Sequence, residues 1–512
     1  MMDKTTVANH VAAGSATRPR RARPFVAWGA LVLALAAFLY GVAPRPSGDA
    51  GTLILRHAQA IIDALPPGAS SPDFPPHTTW IAYPLGAAQW IAGGLSRAAS
   101  RQAYLRDTAS GWLEVLKICW AALAALAVVL TGFLAFARSP GVRSERAIAG
   151  VVASGLLLAG AAWAEAVAYL SPAVPASLLL LLFLAEALGG FGTGAAAPAP
   201  AAPAAEVIVA RRGRFAPELR SGVLAGALVA WFPFLWPAVV LISVPLMLRL
   251  RRAGSVVLFV LAALVATAAL QPAWLLHPAT AWLRGLTVWQ REGGWRGTPG
   301  AEEGVWAFLS SATAVGPAAV AVGLAGTLAI LLLEHPRARA LRDDPRRWLP
   351  PVMVAVVWLT LVLLPAAGGV RRPGAVQNVA APLLALWAAL SLATVRLVWR
   401  LPAAALVVAG VLLMISPLPG RVLREQRRAL VENLRSTVAA ELPRWIPRDA
   451  LWLSDRPVYG APDPLEHRAD AGSGGPFATS ATPSSGEPIA ESAGEASGLE
   501  EGEGAAVAAE RT

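Results

Sequence analysis

Apolar runs of about twenty residues recur along this chain, and clusters of arginine separate them. A helix needs about 20 apolar residues to cross the hydrocarbon core of a bilayer, about 30 Å thick. With 56% of its residues apolar and 15% charged, against about 45–50% and about 25% in soluble domains, the chain is not a water-soluble enzyme. Disorder over most of the length is excluded too, because disordered segments are poor in apolar residues. Cys119 is the single cysteine, so there is no internal disulfide and no Cys/His cluster for structural zinc. What remains is a polytopic membrane protein.

The formal charge is +11, from 43 Lys+Arg and 32 Asp+Glu. Only Lys4 and Lys117 are lysines. The arginines punctuate apolar runs and build no basic soluble domain, which points to membrane topology and away from nucleic acid. Residues 1–24 form a cytosolic tail whose Arg18, Arg20, Arg21 and Arg23 precede a signal anchor, Phe25–Val42. Further runs lie at about 112–137, 147–168 and 175–191, with cytosolic ends marked by Arg138, Arg143 and Arg146 and then by Arg211, Arg212 and Arg214. The Ala/Pro-rich stretch Gly194–Ala205 reads as a flexible cytosolic linker.

Ser221–Leu248 is apolar throughout, yet Arg220 precedes it and Arg249, Arg251 and Arg252 follow. Both ends therefore favour the cytosolic side, and Pro233 and Pro237 each remove a helix hydrogen bond at its centre. A hairpin of two short helices satisfies both facts; a single kinked helix is the alternative. Spans near 254–272, 307–333, 350–366, 379–395 and 402–417 follow, with Arg337, Arg339, Arg342, Arg346 and Arg347 marking another cytosolic loop. The expected fold is all-α and polytopic, with about 11 transmembrane helices, N-terminus inside and C-terminus outside. It occupies residues 25–420, with a first outer loop at 43–110; a short outer segment, 421–460, and a disordered tail, 461–512, complete the chain.

That first outer loop is the candidate for chemistry, being longer than a connection requires. Its two amphipathic pieces, Ile54–Leu65 and Phe74–Leu85, are too short and polar to span and suit the interface. Asp49 precedes the first piece and reads either as a helix cap or as a general base or metal ligand at the membrane surface. Asp63 and Asp73 read as solvated. Arg56 and His57 follow Asp49 by about two helical turns, placing His57 over the same face, although a surface histidine is the commoner reading. Glu165 lies near the outer end of its span with Tyr169 one turn on; it faces a cavity or pairs with an arginine. Arg371 and Arg372 lie on the outer side, and Arg284, Arg291 and Arg296 share the second outer loop with Trp282, Trp289 and Trp295. Both sets serve as anion contacts or as interfacial anchors.

The order of these features resembles the bacterial protein O-mannosyltransferase-like membrane family, which has the GT-C glycosyltransferase fold. The resemblance rests on the signal anchor, on Gly48-Asp49-Ala50-Gly51, and on Pro75-Pro76 running into Tyr83-Pro84-Leu85. It extends to Trp163-Ala164-Glu165-Ala166-Val167-Ala168-Tyr169 at a span end, the hairpin Gly222–Leu248, and Leu442–Leu451. The chain departs from the family pattern in several places. Thr52 stands where a second acid is usual, His77 follows Pro75-Pro76 where the family's histidine precedes the pair, Glu165 and Tyr169 are four apart instead of two, and Trp231-Phe232 replaces a polar pair.

The resemblance implies a membrane glycosyltransferase of a bacterial inner membrane. It would move a sugar, mannose in that family, from a polyprenyl-phosphate donor to a protein, glycan or lipid acceptor on the non-cytosolic face. Asp49 would be the base, with His57 and Glu165 beside it as catalytic candidates. Arg56, His77, Tyr83, Tyr169, Arg284, Arg291, Arg371 and Arg372 would contact substrate. A divalent metal is a candidate cofactor, and Thr52 removes one carboxylate from its ligand set. A lipid-linked sugar flippase and a catalytically inactive GT-C relative are the alternatives.

Overall fold

A computed structural model describes residues 22–43, 49–63, 76–95, 108–189, 216–250, 253–271, 317–343, 345–367 and 374–419, with isolated positions to 430. These belong to one compact unit that closes at Arg428. The second unit, Ala429–Thr512, lies outside the described residues except for Leu430. So do the 194–205 linker, the expected tail and all but isolated positions of the expected outer segment.

The described chain is helical throughout. In order come α1 (Ala22–Val42), α2 (Asp49–Asp63), α3 (Pro76–Leu95), α4 (Ala109–Arg138), α5 (Arg143–Ala159), α6 (Ala161–Ala168) and α7 (Ala173–Ala187). Then α8 (Ala216–Trp231) passes through a 3-10 turn, Pro233–Leu235, into α9 (Trp236–Leu250). The series ends with α10 (Ala253–Leu270), α11 (Pro317–Leu332), α12 (Pro336–Arg342), α13 (Pro345–Ala367), α14 (Gly374–Trp399) and α15 (Ala403–Ile415).

Small residues fix how these helices cross, because in lipid packing replaces the hydrophobic effect as the force between helices. Gly132 of α4 meets the Gly150 carbonyl of α5, Ser154 Oγ donates to Val128 O at 3.1 Å, and Arg146 Nε donates to Phe136 O at 2.9 Å. Rising numbers on one helix meet falling numbers on the other, so α4 and α5 are antiparallel. The pairing of α8 with α10 has the opposite sense. Ser255 Oγ donates to Glu218 Oε1, a Cβ on Gly222 would lie 2.5 Å from Phe259 O, and one on Gly226 would collide with Ala263 O. The offset stays at 37 residues, so α8 and α10 run parallel. For α10 to start at the end where α8 started, α9 must return across the layer. Ser221–Leu248 is therefore the expected hairpin, and the single kinked helix is excluded.

Burial ranks the helices. In α14, 83% of the apolar window Asn378–Trp399 is buried; in α10, only 22% of Ala253–Leu270 is. Hence α14 is the centre of the bundle, packed on α4, α5, α7, α11 and α13, and α10 is peripheral. The apolar residues left outside, such as Leu33, Leu248, Val265, Leu332 and Leu412, suit a lipid environment.

The eleven expected spans are met in part. Among the described residues, three helices are long and apolar enough to cross a membrane: Gly111–Arg138, Ala253–Leu270 and Asn378–Trp399. A fourth forms if Ala318–Leu332 and Pro336–Arg342, bent by 90°, count as one. Other expected spans are apolar helices of 10–17 residues, Ala27–Val42 and Arg347–Leu363 among them. The expected 147–168 span is broken where Gly160 takes an extended conformation (φ −67, ψ 131) between α5 and α6.

Candidate functional site

The bundle has two chemically different ends. One gathers arginines, several of them at helix C-termini, where they meet the negative end of the helix dipole or bond to terminal carbonyls. Arg342 donates to Leu331 O at 3.1 Å and to Leu333 O at 3.0 Å. Buried Glu145, at the start of α5, pairs with Arg396 at the end of α14. Across the bundle, α2 and α3 of the first loop cover the opposite end.

The cover is held by polar contacts from one short stretch of α3. Thr78 and Thr79 are neighbours on a helix, so their side chains diverge by about 100°. Thr78 Oγ1 lies 2.7 Å from His57 Nδ1, joining α3 to α2. Thr79 Oγ1 accepts from Gln271 Nε2 at 3.1 Å, joining α3 to the end of α10. The next residue, Trp80, puts its ring 5.5 Å from that of Trp120 on α4 and 6.3 Å from that of Trp231 at the hairpin tip. Trp120 Nε1 in turn donates to Ser171 O at 2.8 Å. The Trp231-Phe232 pair thus has a packing role: Phe232 is buried, and the Trp231 ring lies tilted against that of Trp80 on the loop helix.

Asp49 is the first residue of α2, where a negative charge is favoured by the helix dipole. Two residues on, a Cβ on Gly51 would meet Leu113 Cδ2 at 2.5 Å and Leu170 Cδ1 at 3.0 Å. The start of α2 is thereby seated on the start of α4 and on the turn between α6 and α7. That turn follows Glu165 and Tyr169 on the chain, so the fold brings the backbone at Asp49 to the stretch that carries them. Leu170 has a left-handed backbone (φ 48), and Ser171 N donates to Ala166 O at 2.8 Å, closing α6 as a Schellman-type cap. A leucine in this conformation is uncommon, and its buried side chain holds it there.

Of the other candidates, Arg56 is exposed on α2, Tyr83 is half-buried on α3, and Tyr169 is 45% exposed. His57 is the main correction. The reading as a surface histidine fails, since it is 1% exposed beneath α3. The eight residues from Asp49 to His57 are about 2.2 turns, which sets the two positions about 80° apart around α2. The side chains of Asp49, His77 and Glu165, and all of Arg284, Arg291, Arg371 and Arg372, lie outside the described residues. Among the described residues, no three His, Cys, Asp or Glu side chains gather to hold a metal ion.

Sequence reasoning passed over Thr78, Thr79, Gln271 and Lys117. Lys117 is 5% exposed and lies 4.3 Å from the centre of the Tyr40 ring, while Tyr40 OH donates to Glu114 at 2.9 Å. It stands one turn before Trp120 on α4. A lysine inside an apolar run is by default a functional candidate, and that signal was present in the sequence. The threonines gave none, because their roles come from partners 21 and 192 residues away.

Comparison with protein-family models, curated proteins and solved structures finds no significant match to this chain.

Proposed function

We propose that the protein is a GT-C-like membrane glycosyltransferase that moves a sugar from a polyprenyl-phosphate donor to an acceptor at the end covered by the first loop. The observation that carries the reading is the seating of α2, through Gly51, on Leu113 and Leu170, which brings the backbone at Asp49 to the Glu165–Tyr169 stretch. In this reading the Asp49 carboxylate takes the proton of an acceptor hydroxyl as that oxygen bonds to the sugar's anomeric carbon. The bond from that carbon to the phosphate oxygen breaks, and cations steady the departing lipid phosphate. Lys117 and Arg56 are described cations at this end, and the outer arginines remain candidates beside them. The apolar helix faces admit the prenyl chain. With that polarity the arginine-rich end is cytosolic and the membrane is a bacterial inner membrane.

The distribution of polar groups supports this reading over a flippase, which needs polar or charged groups at mid-membrane on several helices. Several buried hydroxyls within the helices bond to carbonyls four residues back, as Thr131 does to Ala127 O, Ser243 to Val239 O and Thr394 to Leu390 O. The buried carboxylates Glu145, Glu186 and Glu218 all stand at helix ends.

Purified protein in liposomes containing polyprenyl-phosphate mannose tests the proposal. Wild type is expected to release the sugar, and Asp49→Asn to do so about 100-fold more slowly or worse, with helix content unchanged by circular dichroism. Equal release by both sinks Asp49 as the base. Absence of release by wild type, with acceptor peptide and glycan supplied, counts against this donor and favours a transport assay of the lipid-linked sugar.

A further inference from the structure

α12 turns by 90° from the apolar helix Ala318–Leu332 that precedes it. Ala338 and Leu341 of α12 are buried with Val398 of α14 in a small second core, and Leu333 and Leu397 pack against it. Arg337 also reaches the Val398 carbonyl at 3.5 Å. A short helix set square to an apolar helix, and joined to the end of the central span, lies along the membrane surface at the arginine-rich end. The buried pair fixes which residue faces out. Arg339 is about 100° around the helix from Ala338 and about 200° from Leu341, and it is exposed.

The arginines here are of two kinds. Arg342 donates to the Leu331 and Leu333 carbonyls and closes α11, and Arg337 serves the end of α14. Arg339 and Arg400 do neither. Both are exposed, and among the described residues neither side chain makes a hydrogen bond or an ion pair. The exposed acids of the same stretch, Glu334 and Asp343, are not paired with them, and the four arginines outnumber these acids two to one. Exposed apolar residues stand beside the basic ones. Leu332, at the end of α11, is 70% exposed, and Trp399, at the end of α14, is 61% exposed. Tryptophan rings and arginine stems belong at the boundary between acyl chains and headgroups. Arg400 is carried just past that boundary by its left-handed backbone (φ 53), where Leu401 N donates to Arg396 O at 3.2 Å and ends α14.

We propose that α12 and the end of α14 form a docking surface for the anionic phospholipid headgroups of the leaflet at this end. Arg339 and Arg400 meet the lipid phosphates, and Leu332 and Trp399 meet the upper acyl chains. Charge complementarity selects this occupant: two cations without a protein partner stand where the bilayer places its phosphates. The surface is at the opposite end from the first-loop cover and is independent of the reaction assigned there.

The test uses the purified full-length chain in a neutral detergent, titrated with short-chain phosphatidylglycerol or phosphatidylcholine, with bound lipid counted by native mass spectrometry. Wild type is compared with Arg339→Gln, Arg400→Gln, the double variant and a control, Arg143→Gln, which removes an exposed charge from the start of α5 at the same end. Wild type is expected to prefer phosphatidylglycerol. Each of the two single variants should weaken that binding about fivefold, and the double variant about 30-fold, with phosphatidylcholine unaffected. Arg339→Lys and Arg400→Lys should keep most of the affinity. Neither side chain bonds to the protein, so the variants should fold, and equal Tm in lipid-free detergent verifies it. Should Arg400→Gln disturb the left-handed turn, Arg339→Gln decides the matter. The proposal is overturned if phosphatidylcholine binds as tightly as phosphatidylglycerol, if Arg339→Gln binds as wild type does, or if Arg143→Gln weakens binding as much as Arg339→Gln. It is also overturned if inorganic phosphate displaces phosphatidylglycerol at equal concentration, which would assign the arginines to a soluble anion.

Discussion

Gln271, at the end of α10, donates its side-chain amide to the hydroxyl of Thr79 on α3 across 192 residues of sequence. Both side chains are 5% exposed. This bond fastens the first-loop cover to a peripheral helix of the bundle.

Replacing Thr79 by valine keeps the shape and removes the acceptor from the buried Gln271 amide. The expected cost is about 1–3 kcal/mol, read as a lower Tm in detergent. A double-mutant cycle with Gln271→Leu should show strong coupling, because the second change removes the donor that the first left unmatched.

Gly226 of α8 permits the close approach of α10. A side chain there would collide with Ala263 O and lie 2.7 Å from Ala266 Cβ, and Gly226 O accepts from Thr267 Oγ1 at 3.2 Å. Gly226→Leu should therefore force the two helices apart and lower stability by about 1–3 kcal/mol or more. Gly254, with nothing within 4 Å of its Cβ position, is the control. Gly254→Ala should be neutral or stabilising by up to about 1 kcal/mol. Paired thermal melts check both.

Leu170 opposes two effects. Glycine would relieve its left-handed backbone, a gain of about 1–2 kcal/mol. It would also delete a side chain that is 2% exposed and packs against Gly51, a loss of about 2–5 kcal/mol. The lost packing outweighs the relieved strain, so Leu170→Gly is expected to destabilise. Increased proteolysis within 49–63 would show that α2 has lost its seat.

Glu145 and Arg396 form a mostly buried ion pair, with side chains 10% and 18% exposed. Removing one partner leaves a charge that little water reaches, at a cost of about 3–5 kcal/mol. Glu145→Gln alone should be markedly less stable than the double variant Glu145→Gln/Arg396→Gln. Chemical denaturation of wild type, both single variants and the double variant would measure the difference.

Thr78→Val would remove the partner of His57 Nδ1 while keeping the buried shape. The buried imidazole left unmatched should lower stability by about 1–3 kcal/mol, and if the covered end is the reaction site, turnover of polyprenyl-phosphate sugar by the folded protein should fall about tenfold. Activity equal to wild type would make His57 a packing residue of the cover.

Much of the architecture is legible in the sequence because the bilayer constrains each segment separately. Length, apolar content and flanking arginines placed the helices of the bundle, and charges at both ends of Ser221–Leu248 foretold its return. The break at Gly160 was not legible, since a glycine in an apolar run is as compatible with a continuous helix as with a hinge. The amphipathic pieces of the first loop announced two helices but not what they cover.

Local chemistry therefore determined the helices, their apolar faces and the separation of an arginine-rich end from a polar one. Tertiary structure alone decided that His57 is buried, that Thr78 and Thr79 face different partners, and that the start of α2 sits on Leu170. It also decided that Arg339 and Arg400 flank one joint between α12 and α14. The reason is distance along the chain: a helix's periodicity reaches only three or four residues, whereas each of these arrangements joins segments that meet only when glycine-lined helices pack.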